Sequence, residues 1–276
     1  MLTFLALEIY INDEKIQIQA LISYHDSMKN YLECNLEELG EIARDKLPVH
    51  VGLIPDGNRR WAREKKLESK MGHLAGYEAL RNILFSFFKA GIKYLSIYAL
   101  SLENAKKRSP EEIQYIYKII TKACEAVRNE PLVVKEKVRV NIIGRLHLLP
   151  PEVREKVDDL MDFTKEHDQN FINILIMYDG QEEIVDGVKN LIQNNVKPED
   201  ITREKIKDFI YTYDFPELDY IIRTGMDDGA RISGFLLWDA SYAEFKFRNE
   251  YWPDYTEDLL LDDLKDFVRR NRRKGK

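Results

Sequence analysis

The chain has 276 residues, 44% of them apolar and 33% charged, with a formal net charge of −6. Such a content buries a full core as one large domain or as a domain with an extension, and it excludes a disordered chain. The acidic balance excludes non-specific nucleic-acid binding as the default, while a local cluster of arginines can still take a small anion.

The opening MLTFLALEIYI lacks a basic n-region, carries Glu8, and falls short of the roughly 20 apolar residues that a membrane span needs. Neither signal peptide nor anchor is expected. Alternation in EIYINDEKIQIQALI predicts a short hairpin or helix, so residues 1–47 read as an N-terminal extension to a domain over 48–276. Apolar runs then predict strands at His50 to Ile54, Tyr94 to Ala99, Val138 to Ile143, Phe171 to Met177 and Tyr220 to Ile222.

Helical periodicity fills most of the gaps. From about Gly72 to Ala90, Leu80, Ile83, Leu84, Phe87 and Phe88 share one face, and Gly91 ends the helix. Pro110 starts another with Glu111 and Glu112 in its first turn, followed by Ile113, Ile116, Tyr117 and Ile120. The alternation predicts an α/β fold, a central mostly parallel sheet flanked by helices. Cys34 and Cys124 lack any CxxC or Cys/His spacing, which speaks against a disulfide framework or a zinc site and fits a reducing cytoplasm. The final RRNRRKGK carries six positive charges in eight residues, and a solvated tail is its blander reading.

Ligands of open parallel sheets bind beyond the carboxyl ends of the strands. The five predicted strands are followed by PDGNRRW, SLEN, GRLH, YDGQ and RTGMDDGARIS. If the strands are parallel, these loops share one rim. Arg60, Arg223 and Arg231 can fork onto phosphate oxygens, Ser101, Ser233 and Asn104 can add neutral hydrogen bonds, and Gly57 with Asn58 lets backbone N–H groups approach an anion. A carboxylate there would repel phosphate unless a divalent cation stood between them, so Asp56 reads as a Mg²⁺ ligand. Seen singly, each residue has a plainer account. Asp56 and Gly57 make a turn, Arg59, Arg60 and Arg63 a solvated helix face, His73 a packed or capping residue, Trp61 a core residue, and Glu244 one polar position in an alternating strand.

Taken together, IPDGNRRW, GHLAG, LSIYALSLEN, IIRTG, RISGFLLWDASYAEFKF with WPD following, and the terminal RRKG resemble the cis-prenyltransferase family, the undecaprenyl and dehydrodolichyl diphosphate synthases. The resemblance covers roughly residues 48–276. It implies an elongated hydrophobic tunnel, a homodimer in the cytoplasm with peripheral membrane association through its product, and a Mg²⁺-dependent condensation. Isopentenyl diphosphate would add to an allylic diphosphate with formation of cis double bonds.

By matching position, the resemblance makes Asp56 the catalytic acid and metal ligand. Gly57, Asn58, Arg59 and Arg60 would hold the allylic diphosphate, with His73 beside it. Asn104 would take part in proton removal, supported by Ser101 and Glu103. Arg223, Arg231 and Ser233 would hold isopentenyl diphosphate. Trp61, Leu102 and Ile232 fall within the same motifs and are carried with them as substrate contacts. Glu244 would complete the metal site, from the same chain or from the partner subunit, and Arg273 would reach across a dimer through an RxG ending.

The sequence departs from the family pattern near both substrates. Ser69 stands where many members have an arginine four residues before the GH histidine, and Ala105 replaces the usual aromatic after the SxEN asparagine. MYDG at Met177 to Gly180 replaces NYGG, and the loop after the fifth strand is lengthened, with Asp227, Asp228 and then Gly234 for an asparagine. Three functions fit: a synthase of a polyprenyl lipid-carrier precursor, the same chemistry with a short product or another acceptor, and a non-catalytic partner subunit. The intact DGNRRW counts against the third.

Overall fold

Continuous burial selects the strands. A computed structural model describes residues 46–227 and 229–270, so most of the predicted extension, and Arg273 with its RxG ending, lie outside the described residues. In chain order the elements are β1 (His50–Ile54), α1 (Asn58–Glu64), α2 (Ser69–Lys89), β2 (Tyr94–Ser101), α3 (Leu102–Lys107), α4 (Pro110–Arg128), α5 (Pro131–Lys135), β3 (Val138–Ile143), α6 (Pro151–Thr164), β4 (Asn170–Tyr178), α7 (Gly180–Gln193), α8 (Arg203–Lys207), β5 (Tyr220–Arg223), β6 (Glu244–Phe247) and α9 (Glu257–Arg269). They build a six-stranded sheet in the order β3-β4-β2-β1-β5-β6 with every pairing parallel. Central β1 is buried at all five positions, whereas edge strand β6 is half-buried throughout. Covering both faces of a parallel sheet with helices produces this pattern.

α2 begins at Ser69, three residues before the predicted start, and directs Ile83, Leu84 and Phe87 into the core, with Leu80 and Phe88 packed at its margin. On α4, Ser109 caps the first turn by accepting from Glu112 N at 3.2 Å, and Ile116, Tyr117 and Ile120 are buried. Among the described residues no helix is long and apolar enough to cross a membrane.

Strand order positions the site. β1 sits between β2 and β5, with Ile54 level with Arg223, so the chain segments leaving β1 and β5 emerge side by side. This is the kind of switch point at which open α/β sheets bind ligands.

Candidate active site at the strand rim

Two adjacent strand ends are stitched together first. Asp56 N donates to Thr224 Oγ1 at 3.0 Å, and the same hydroxyl donates to Asp56 O at 2.8 Å. This fixes the Asp56 carboxylate at the rim, about one-third exposed. Its Oδ1 accepts from Gly57 N at 2.6 Å and lies 3.4 Å from Arg60 Nη2, while Oδ2 accepts from Arg223 Nη2 at 2.8 Å.

The turn into α1 needs glycine. Gly57 has φ 101°, and a Cβ there would stand 2.5 Å from the Tyr251 ring. α1 then packs closely on α2, because a Cβ on Gly72 would fall 2.1 Å from Asn58 O and one on Gly76 2.5 Å from Asn58 Oδ1. Those two glycines of GHLAG let Asn58 settle between the helices, where its Oδ1 is buried without a hydrogen bond. Arg60 donates to Asp227 Oδ1 and to Gly225 O, each at 2.6 Å, and lies 5.4 Å above the Tyr251 ring.

Arg223 is buried. Its Nη1 donates to Arg231 O at 2.7 Å and Ser233 Oγ at 2.8 Å, so the guanidinium ties the rim loop to Asp56. Ser233 has φ 50°, and the loop rests on the start of α7 through Gly180 N donating to Gly234 O at 2.9 Å. Beneath it the Tyr98 hydroxyl donates to Tyr178 O at 3.1 Å, and the Tyr178 hydroxyl bonds Glu183. Burial pushes the Glu183 carboxyl up to about 7.

The other flank gathers around one oxygen. Glu112 Oε1 is 2.8 Å from His73 Nε2, 3.5 Å from Arg108 Nε and 3.8 Å from Arg59 Nε. Burial lowers the His73 pKa, and the Glu112 hydrogen bond opposes it. Burial also weakens the hold of Arg108 on its proton, against the pull of Glu112 and Asp56. At α3, Ser101 Oγ accepts from Asn104 N at 3.0 Å and leaves Asn104 exposed, while Glu103 pairs with Lys107 at 2.5 Å, which lowers its pKa.

The structure thus brings Asp56, Gly57, Arg60, Arg223 and Ser233 into one connected group and sets Arg59 with His73 beside α4. Other expected contacts fall elsewhere. Trp61 is buried, its Nε1 donating to Asp254 Oδ1 at 2.8 Å, and Leu102 is a core residue. Ile232 packs against the apolar cluster around Tyr98 and Phe235, and Arg231, exposed, lends Arg223 its carbonyl.

Glu244 pairs with Tyr220 at the start of β6, three residues before the level of Arg223, which is about 10 Å below the rim. Its carboxylate accepts from Arg270 Nη1 at 2.9 Å. One chain therefore does not bring Glu244 to Asp56. The loop after β3 also turns away, because Arg145 pairs with Glu182 at 2.6 Å and Asp186 at 2.9 Å on α7.

Arg108, Glu112, Thr224 and Tyr251 were not foreseen as site residues. Arg108 ends the run KKR and Glu112 sits in a helix first turn, positions where solvated charge is the ordinary expectation. Among the described residues no group of three or more His, Cys, Asp or Glu could hold a metal. A partly exposed carboxylate between arginines does suit a cation that arrives with phosphate oxygens, since Mg²⁺ commonly takes one or two carboxylates and completes its shell from substrate.

The family described as "Putative undecaprenyl diphosphate synthase" matches residues 54–275. The chain is 34% identical, over 96% of its own length and 98% of the relative's, to a tritrans,polycis-undecaprenyl-diphosphate synthase (geranylgeranyl-diphosphate specific) of Methanopyrus kandleri. It is 37% identical to the protein of the same description in Methanocaldococcus jannaschii, over 85% of each chain. The crystal structure of lavandulyl diphosphate synthase from Lavandula x intermedia in complex with dimethylallyl diphosphate superposes with a TM-score of 0.79 at 27% identity, covering 84% of this chain and 100% of that one.

Proposed function

The chain belongs to the undecaprenyl diphosphate synthase family of prenyltransferases, and from that premise we propose that it condenses isopentenyl diphosphate with an allylic diphosphate, in the cis sense, at the rim centred on Asp56. The observation that carries this reading is the convergence of Arg60, toward Oδ1, and Arg223, on Oδ2, on the two sides of one carboxylate group. Two diphosphates held on those two sides would bring their hydrocarbon ends together.

In the reaction the allylic C–O bond breaks and its electron pair leaves with diphosphate. The isopentenyl double bond supplies the pair for the new C–C bond, and a proton is lost to restore an alkene. Arg59, Arg60 and His73, with Arg108, orient the allylic diphosphate, and preorganised guanidinium groups stabilise charge where it grows. Arg223, Ser233 and Arg231 hold isopentenyl diphosphate. Asn104, set by the Ser101 cap, is the partner in proton removal. Asp56 would hold Mg²⁺ together with diphosphate oxygens, and the cation would supply further neutralisation of the leaving group.

The relatives' specificity for geranylgeranyl diphosphate supports a long allylic primer and a polyprenyl diphosphate, of the kind that serves as a lipid-carrier precursor, built in an apolar tunnel. Similarity to lavandulyl diphosphate synthase, together with Ser69 and Ala105 beside the allylic site, supports a short product as the second reading. A homodimer is supported by the exposed apolar stripe Val185, Val188 and Ile192 on α7, at helical spacing. The test is mass-resolved product analysis with Mg²⁺, isopentenyl diphosphate and primers from dimethylallyl to geranylgeranyl diphosphate. Products growing by five-carbon steps are expected, with the longest primer used best, and no elongation of any primer would refute the reaction.

A further inference from the structure

We propose that Glu112 is a positioning residue for the allylic half of the site, which holds Arg59, His73 and Arg108 in register for a diphosphate it does not itself contact. The inference rests on the reaction proposed above. Three groups that carry or can take a positive charge crowd one face, and left alone they would repel each other and splay. All three instead approach a single carboxylate oxygen, Oε1, at 2.8 Å, 3.5 Å and 3.8 Å. The side chains of Glu112 and His73 are only 13% and 9% exposed, so attraction acts through a poorly screened medium.

A carboxylate only accepts, so His73 Nε2 carries the proton in its bond to Glu112. That fixes the ring's orientation and tautomer. Arg108 Nε is buried without a hydrogen bond, so its placement depends on charge. Arg59, 60% exposed and the farthest of the three from Glu112, is the member with most room to turn onto a ligand. Glu112 also repels an incoming anion. Alignment outweighs this repulsion, because a diphosphate gains more from several donors already aimed than it loses to one negative charge behind them.

Titration calorimetry on the full chain decides it, using geranylgeranyl S-thiolodiphosphate as an unreactive allylic probe and isopentenyl diphosphate as the second ligand. Glu112→Gln should weaken the allylic probe tenfold or more and leave isopentenyl diphosphate within twofold. Glu112→Asp, which keeps the charge on a shorter stem, should recover part of the loss. The ratio of the two affinities is read, so a destabilised variant remains informative. Equal or tighter binding of the probe by the Gln variant would overturn the role, and so would an equal loss of both ligands, which would mark Glu112 as general scaffold. A wild-type chain that binds neither ligand would overturn the reaction itself, and this role with it.

Discussion

The two flanks of the rim hold positive charge in opposite ways. On the β5 side, Arg223 is buried and both terminal nitrogens are committed, to Asp56, Ser233 and the Arg231 carbonyl, all within 2.8 Å. On the α4 side, three groups share one carboxylate oxygen and only His73 reaches normal hydrogen-bond distance. The first flank is a rigid frame that reads shape. The second is adjustable and reads charge. For the proposed reaction, a small substrate of constant shape suits the frame, and a growing chain whose diphosphate must be seated again after each addition suits the adjustable side.

The comparison breaks most visibly at Arg223. Arg223→Ala removes the shortest ion pair of the Asp56 carboxylate, which is one-third exposed and keeps its bond from Gly57 N, so the loss of stability should be about 1–3 kcal/mol. The specificity constant for isopentenyl diphosphate should fall by about 10²–10³ in steady-state kinetics. A rise confined to the Michaelis constant of the allylic primer would mean that the two flanks are assigned backwards.

Glu183 underlies the same frame through Tyr178 and tests it by pH. Its carboxyl is raised from 4.5 to about 7 by burial, so the native state holds more protons than the unfolded chain between those values. The contribution is complete below pH 4.5 and is lost as pH rises through 7. Relative to Glu183→Gln, which stays neutral, the wild type should lose on the order of 3 kcal/mol between pH 4.5 and 8. His50 acts in the opposite sense, pushed down to about 4 by burial, so its contribution is lost as pH falls from 6.5. Subtracting the Gln variant's melting profile from the wild type's isolates Glu183, and a flat difference would remove the buried acid from beneath the frame.

Smaller effects sharpen the adjustable side. Gly72→Ala drives a methyl to 2.1 Å from Asn58 O and should cost about 1–3 kcal/mol, read as a lower melting temperature. An unchanged melting temperature would mean that α1 and α2 pack less closely than described. Ser101→Ala removes the cap of α3 and should cost about 1 kcal/mol, with a modest fall in kcat and unchanged substrate affinities. Altered affinity would show that the cap orients substrate and not Asn104 alone.

Much of this was legible in the chain where one residue's neighbours in sequence decide its fate. β1 and β3 run over the expected residues because buried apolar runs bounded by turn signals leave little choice, while β2, β4 and β5 run on to Ser101, Tyr178 and Arg223, where the apolar run gives way to the residues of the rim. Asp56 and the arginines were legible because strand ends are where parallel sheets bind. Glu112 and Arg108 were not, since they reach Arg59 and His73 only once α4 packs on α2. Trp61 was carried as a substrate contact by its motif, with a core residue as its plainer account, and it is buried with its indole donating to Asp254. Glu244 read as a metal ligand from the same chain or from the partner subunit, and register within one chain puts it at the start of β6, away from the rim. The buried polar row of His50, Ser96 and Asn173, continued by half-buried Asn141, depends on strands distant in sequence becoming neighbours, which no local pattern encodes.

Asp56 is where the two flanks meet, and one comparison decides whether chemistry happens there. Wild type and Asp56→Ala should be incubated with Mg²⁺, isopentenyl diphosphate and geranylgeranyl diphosphate, with products resolved by mass and both proteins checked for the same far-ultraviolet spectrum and oligomeric state. The expected result is a ladder of five-carbon additions for the wild type and a turnover lower by about 10³-fold in the folded variant, a loss of about 4 kcal/mol of transition-state stabilisation. Wild-type elongation by the folded Asp56→Ala protein would contradict the assignment of the reacting centre to this rim.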